Sequence, residues 1–154
     1  MIINSQIQQA LIARLKDNTQ YGIPALHLAL GIDEEEKIRE NQFQGTQFVY
    51  PAIRVSLTYL NPTENTPCRD DVFRSYFSIV SFSEGTSSLE ADIIAGLVAE
   101  ALDEAVIDVT TPAFMPAFRT GNISLGSVNA AIRIGPRLWR AETFFRTSIY
   151  QKAS

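Results

Sequence analysis

The chain has 154 residues, of which 45% are hydrophobic and 19% are charged, with a formal net charge of −4 and a single cysteine. This length fits one domain covering residues 1–154, which should bury about 68–70% of its unfolded surface. The sequence has neither a signal peptide nor an apolar run near the roughly 18 residues that a membrane span needs, so we expect no membrane association and folding in a cytoplasm. The lone Cys68 cannot form an internal disulfide, which agrees with a reducing compartment.

The charges are unevenly distributed along the chain. Residues 1–118 carry seven bases and sixteen acids, whereas residues 119–154 carry six bases and one acid. A basic carboxyl-terminal segment can bind nucleic acid. Strand-like apolar residues are interleaved with the bases here, however, so this segment is not a disordered tail. An acidic surface on one copy that meets a basic surface on the next copy explains the asymmetry equally well.

The first element along the chain is a predicted helix that ends near Lys16. Asn4 or Ser5 can cap its amino terminus, because a short polar side chain accepts a hydrogen bond from the free backbone amides there. Its apolar residues recur at the three- and four-residue spacing of one helix face. These residues are Ile7, Leu11, Ile12 and Leu15.

Residues 18–48 give a weaker pattern. Gly22 and Pro24 interrupt the helical pattern, and Asp33–Glu36 is a run of acids. Acids are favourable at a helix amino terminus, so a helix over Ile32–Glu40 is one interpretation. A mobile loop is the other, and the sequence leaves both open.

Strand patterns cover much of the remaining chain. Apolar residues alternate with polar ones over Ile53–Tyr59. Val72–Phe82 is apolar on both sides, as expected for a central strand or for one that packs against a neighbouring subunit. Ile123–Val128 and Ala131–Ile134 are short candidates. Trp139–Tyr150 is a strong final strand, because its alternate positions from Trp139 to Ile149 are suited to burial.

The main helix is predicted over Ser88–Val106. Ser87 and Glu90 have the spacing of a capping box, in which the serine accepts a hydrogen bond from the amide of Glu90. The apolar arc of this helix is wider than the roughly 100° that one sheet face requires, which indicates a second contact, interpreted as a neighbouring subunit. Together these elements predict an α/β fold of the α+β type: a mainly antiparallel β-sheet with helices packed on one face.

An apolar loop is expected between the main helix and the last strands. Pro112 and Pro116 exclude a regular element around residues 110–121. The loop either folds over the edge of the core or contacts a partner. Its candidate contact residues are Phe114, Met115 and Phe118.

Residues suited to catalysis are few and isolated. His27 is the single histidine and lies in an apolar stretch, which favours a packing role over acid–base chemistry. Cys68 has no motif around it that would make it a nucleophile. Adjacent acids such as Glu34 and Glu35 lack the spacing of a calcium loop, and phosphate-binding glycine motifs are absent. We therefore predict no enzyme, with no catalytic residue, no cofactor and no metal site.

Nucleic-acid binding is a weaker possibility raised by the basic carboxyl-terminal third. Trp139 alternates out of phase with Arg140 and Phe144, so its ring should point into the core rather than towards a nucleotide. The overall pI near 5.0 also argues against a general DNA-binding protein.

Four segments that cover about half of the chain have a recognisable layout. They are an amino-terminal helix, SQIQQALIARL; a strand opened by Tyr50-Pro51, YPAIRVSLTYL; a strand that leads into the main helix, FRSYFSIVSFSEGTSSLEADIIAGLVAEAL; and a closing strand, LWRAETFFRTSIYQ. In this layout the chain resembles the tail terminator (tail-completion) proteins of long-tailed phages.

The resemblance implies a non-enzymatic virion protein that is assembled in the host cytoplasm. Such proteins form a ring, typically hexameric, that caps the tail tube, ends its polymerisation and joins the tail to the head–tail connector. The implied partners are further copies of the chain, the tail tube protein, the sheath if the tail contracts, and the connector, with DNA only passing through the lumen. Another neck or minor tail protein, or a small ligand-binding α/β module, remains an alternative.

The divided charge suggests how copies would join in such a ring. A ring of identical subunits uses head-to-tail contacts that must close. We expect an acidic stripe on the main helix of one copy to face a basic edge on the next. The acidic stripe comprises Asp92, Glu100, Asp103 and Glu104, and the basic edge comprises Arg133, Arg137, Arg140 and Arg146.

Overall fold

Three helices and seven strands follow one another in the computed structural model, which describes residues 2–31, 37–41, 49–62, 71–114 and 117–152. In chain order they are α1 (Ile2–Lys16), α2 (Ile23–Leu30), β1 (Ile38–Glu40), β2 (Ala52–Pro62), β3 (Asp71–Glu84), α3 (Leu89–Leu102), β4 (Asp108–Val109), β5 (Phe118–Thr120), β6 (Ser124–Gly135) and β7 (Leu138–Gln151).

The strands form one mixed, mostly antiparallel sheet. Along it the order is β1-β2-β3-β7-β5-β4, and β6 also pairs with β7. Only β1 and β2 run parallel among the described pairs. One side of β7 is taken by β3, so β6 and β5 follow each other along its other side, against residues 138–146 and 149–151 respectively. The predicted α+β class and mainly antiparallel sheet are confirmed.

One hydrophobic core joins the three helices to one face of the sheet. Strand positions alternate between the two faces, so Phe77 and Ile79 of β3 share the helix-covered face with Phe145 of β7. The rings of Phe77 and Phe145 stack with their centroids 5.2 Å apart. Trp139 packs at the margin of this face beside Ala91, Ala95 and Ala141, as its alternation predicted.

The main helix is shorter than its sequence pattern suggests. It runs from Leu89 to Leu102, after which the backbone of Asp103 is extended and Glu104 adopts a φ of 67°. The predicted capping box is wrong in detail, because the Ser87 hydroxyl accepts a hydrogen bond from the amide of Leu89 rather than from that of Glu90. The width of the apolar arc is explained within the chain, since α2 packs against α3 and supplies the second contact.

Two other segments differ from expectation. Pro24 does not prevent α2, because it occupies the first turn, where a missing amide breaks no hydrogen bond. In the segment expected to form a helix over Ile32–Glu40, residues 32–36 lie outside the described residues, and Ile38–Glu40 forms the short strand β1. The two short strands predicted over residues 123–134 are one long strand, β6, whose pairing with β7 is interrupted by bulges.

Candidate interaction surfaces

Two acids of the predicted acidic stripe bind the backbone of β6 in the same chain. The Asp92 carboxylate accepts a hydrogen bond from the amide of Ala131 at 2.8 Å, and the Asp103 carboxylate accepts one from the amide of Leu125 at 3.2 Å. β6 pairs with β7 alone among the described strands, so its other edge would otherwise present unpaired amides. Asp92 in α3 and Asp103 directly after it therefore hold the helix against the free edge of the sheet by hydrogen bonds.

We expect Asp92→Ala to lower the free energy of unfolding by about 1–2 kcal/mol, because a hydrogen bond to a charged acceptor is lost and a half-buried amide is left without a partner. Glu90→Ala is the matched control, since Glu90 is an exposed acid in the same first helical turn. Both variants lose one favourable charge at the helix amino terminus, worth about 0.3–1 kcal/mol. If urea unfolding gives equal losses of free energy for the two variants, the hydrogen bond to Ala131 contributes nothing to stability.

The remaining acids of the stripe also have partners within the chain. Glu100 accepts a hydrogen bond from the Tyr21 hydroxyl at 3.2 Å, and Glu104 accepts one from the Asn122 amide at 3.3 Å. Both contacts are exposed, so each carboxylate keeps access to solvent. Glu100 lies on the outer side of α3, whereas Glu104 lies beyond the helix end. The four acids thus do not form one continuous helical stripe.

Two of the four predicted basic residues are engaged inside their own hairpin. Arg140 forms an ion pair with Glu142 at 3.3 Å, and the Nε of Arg133 donates to the carbonyl of Gly135 at 3.2 Å. The ion pair of Arg140 reduces the positive charge that β6 and β7 offer to a partner, whereas the bond of Arg133 to a neutral carbonyl restrains its side chain and leaves its charge in place. The ion pair shows why counting bases along a sequence overstates the charge of a surface.

The other two bases are exposed but lie far apart along the hairpin. Arg137 is at its turn, with a φ of 63°, and Arg146 is eight residues past the start of β7. A strand rises about 3.3 Å per residue, so Arg146 lies roughly 26 Å from the start of β7. The predicted basic edge is therefore not one patch, and Arg146 has different neighbours from the others.

The predicted partner-contacting loop is only partly a loop. Phe114 is 79% exposed and available for contact. Phe118 is 6% exposed, because it lies on β5 and packs against Phe73 with a centroid separation of 6.4 Å. It is therefore not in a loop, and of the two alternatives the structure favours burial at the edge of the core over contact with a partner. Met115 lies outside the described residues.

The face of the sheet opposite the helices, here called the open face, carries an unpredicted cluster. The pairing register places Arg74 and Tyr76 of β3 beside Arg146 and Ser148 of β7 on this face. They line a polar cleft of about 210 Å³ together with Asn122 and Ser124. An adjoining hollow of about 340 Å³ has Thr58, Tyr76, Gly126, Phe144 and Arg146 in its lining. Arg74 and Tyr76 were not singled out by sequence, because their proximity to Arg146 depends on strand pairing.

Features that would support catalysis or metal binding are not concentrated at any of these surfaces. His27 is buried in α2, and its Nε2 lies 2.7 Å from the carbonyl oxygen of Leu15, which confirms the predicted packing role. Cys68 lies outside the described residues. In the part of the chain that the structure describes, no group of three His, Cys, Asp or Glu side chains is placed to hold a metal ion. None of the described helices has both the length and the apolar character that crossing a membrane requires.

Comparison with known proteins identifies a shared fold. No family model and no curated protein matches the chain. Among solved structures, a chain of the "Virion of native gene transfer agent (GTA) particle" superposes with a TM-score of 0.72, covering 96% of this chain and 97% of that one at 12% sequence identity. Coverage close to complete in both chains means that the two proteins share a whole fold rather than one motif.

Proposed function

We propose that the protein is a non-enzymatic structural subunit of a phage-like virion. The observation that carries this proposal is the whole-length match to a virion chain, which spans 96% and 97% of the two molecules. Exposed charges such as Arg146 and exposed apolar side chains such as Phe114 are compatible with contacts to other virion proteins.

Within the virion, we propose the role of a tail terminator. The sequence segments that resemble this family support this role, since in the structure they form α1, β2, β3 with α3, and β7. In this role, copies of the chain form a ring, hexameric as in its counterparts, that caps the tail tube and ends its polymerisation. The ring then joins the head–tail connector on its other side, next to the sheath if the tail is contractile, and DNA passes through its lumen.

Contacts between copies use charges that are still accessible in the monomer. Of the residues first assigned to this interface, Asp92 and Asp103 bind β6 and Arg140 binds Glu142. The others are exposed: Glu100, Glu104, Arg133, Arg137 and Arg146. We therefore retain Glu100 and Arg146 as the central pair, and Phe114 as a contact for the tube or the connector.

Native mass spectrometry and electron microscopy test the ring directly. We expect the purified chain to assemble into a closed ring around a central hole. The predicted mass of this ring is that of six copies. A monomer or dimer at all accessible concentrations would contradict the ring and favour a small ligand-binding module. Adding the ring to polymerising tail tube protein should shorten the tubes. A ring that leaves tube length unchanged would indicate another neck or minor tail protein.

A further inference from the structure

Two arginines of the open face, Arg74 and Arg146, make no ion pair in the described part of the chain, whereas Arg140 on the same face is neutralised by Glu142. Arg119 lies directly opposite the acid Asp108 of β4, so its charge is partly balanced. Register places Arg119 beside Tyr150 at one end of this face, and Arg74 and Arg146 diagonal to each other nearer its middle. The open face therefore presents a local concentration of positive charge on a protein whose net charge is −4.

The same face combines this charge with an apolar depression. Tyr76 and Arg146 line both the polar cleft and the adjoining hollow, so the two depressions share a wall, and together they are called the recess here. Phe144 is half-buried in the hollow, and Gly126 opposite it has no side chain to fill the space. A ligand for this recess would need a carboxylate beside a protruding apolar group.

The outer surface of the α2–α3 helix pair has these features. Leu28 is 86% exposed, Tyr21 is 75% exposed, and Ile93 is 49% exposed. Glu100 lies two helical turns after Ile93 on the same side of α3, and it accepts a hydrogen bond from the Tyr21 hydroxyl at 3.2 Å. Neither α2 nor α3 contains a lysine or an arginine, so nothing on the two helices offsets the charge of Glu100.

We propose that the helix pair of one copy packs on the open face of the next, with Glu100 directed at Arg74 and Arg146 and an apolar side chain of the helix pair in the hollow. This inference rests on the ring of the proposed function and names its contact. The helices cover one face of the sheet and the recess lies on the other, so every copy carries both halves of the contact. Such a contact is heterologous and generates a ring when its rotation closes.

A second copy fits the recess better than nucleic acid does. DNA is bound by rows of cations that follow a phosphate backbone. Here only Arg74 and Arg146 line a recess with an aromatic wall, and the ion pair of Arg140 with Glu142 places an acid on the same face. Charge complementarity between two surfaces of the same chain therefore selects a second copy.

Charge reversal tests the contact in the full-length chain. Arg146→Glu places an acid opposite Glu100, so the protein concentration at half-assembly should rise at least tenfold, as should that of Glu100→Arg. The double variant restores an opposite pair and should assemble within threefold of wild type. Arg137→Glu is the matched control, because it makes the same charge change at an exposed position off the open face, and it should assemble normally.

The outcomes separate this inference from the proposed function. A wild-type chain that never assembles contradicts the ring itself. Normal assembly of Arg146→Glu, or failure of the double variant with both single variants folded by circular dichroism, overturns only the contact. If Arg146→Glu does not fold, Arg74→Glu tests the same recess, and its normal assembly overturns the contact as well.

Assembly lost equally in Arg137→Glu would instead support the basic hairpin edge. Binding of a 30-base-pair duplex by the wild type that is lost in Arg146→Glu, with assembly unchanged, would assign the recess to DNA.

Discussion

Replacing Phe77 with alanine should lower the free energy of unfolding by about 3–5 kcal/mol. Phe77 is 1% exposed and stacks on Phe145, itself 2% exposed, at the centre of the helix-covered face. Removing the ring loses its transfer from water and leaves a cavity between central strands, where β3 is paired on both sides and has little room to collapse.

Urea unfolding at a concentration where the protein is monomeric measures this loss, because assembly would add its own stabilisation. Phe114→Ala is the matched control, since it removes the same side chain from a position that is 79% exposed. We expect the control to change the free energy of unfolding by no more than about 0.5 kcal/mol. Similar losses for the two variants would contradict the assignment of Phe77 to the core.

Replacing Gly22 with alanine should lower the free energy of unfolding by about 2–3 kcal/mol. Gly22 precedes α2 with a φ of 80°, and a left-handed conformation costs a residue with a side chain about 1–2 kcal/mol. An added Cβ would also lie 3.0 Å from the backbone Cα of Ala101, so α2 and α3 would have to move apart. The close approach of these helices therefore depends on glycine at this position.

Gly96→Ala is the control for Gly22→Ala, because the same substitution should here raise the free energy of unfolding. Gly96 lies in the interior of α3, and an added Cβ meets nothing within 4 Å. Because alanine has the higher helix propensity, this variant should gain up to about 1 kcal/mol. The free energies of unfolding of the two variants, measured with heat or urea, should therefore change in opposite directions relative to the wild type. If Gly96→Ala also lowered the free energy of unfolding, the outer side of α3 would have to be packed against another surface in the sample.

Patterns that repeat over neighbouring residues predicted most of the fold. The alternation in β7 and the apolar spacing in α3 both reflect burial of one side of an element, which each element's own sequence records. β1 was missed because its three residues become a strand only through parallel pairing with β2. Pro24 was taken as a helix breaker, although its position in the first turn makes it compatible with α2.

The surfaces were harder to predict than the fold, because their chemistry arises from distant residues. Asp92 and Ala131 are 39 positions apart, so nothing local indicates that this carboxylate is already engaged. Arg74 and Arg146 share a cleft for a similar reason, since only strand pairing brings them together. Composition correctly indicates that charge is divided along the chain, but it cannot distinguish a charge that is paired within the chain from one that is available to a partner.

The attachment of α3 to β6 also restricts how copies can combine. An exposed edge strand is a template on which another strand can add, and twelve residues of β6 would make a long one. Asp92 and Asp103 occupy two of its amides and place negative charge along that edge. Sheet extension from one copy into another is thereby disfavoured at β6, and the same feature should protect the free chain from amyloid-like growth.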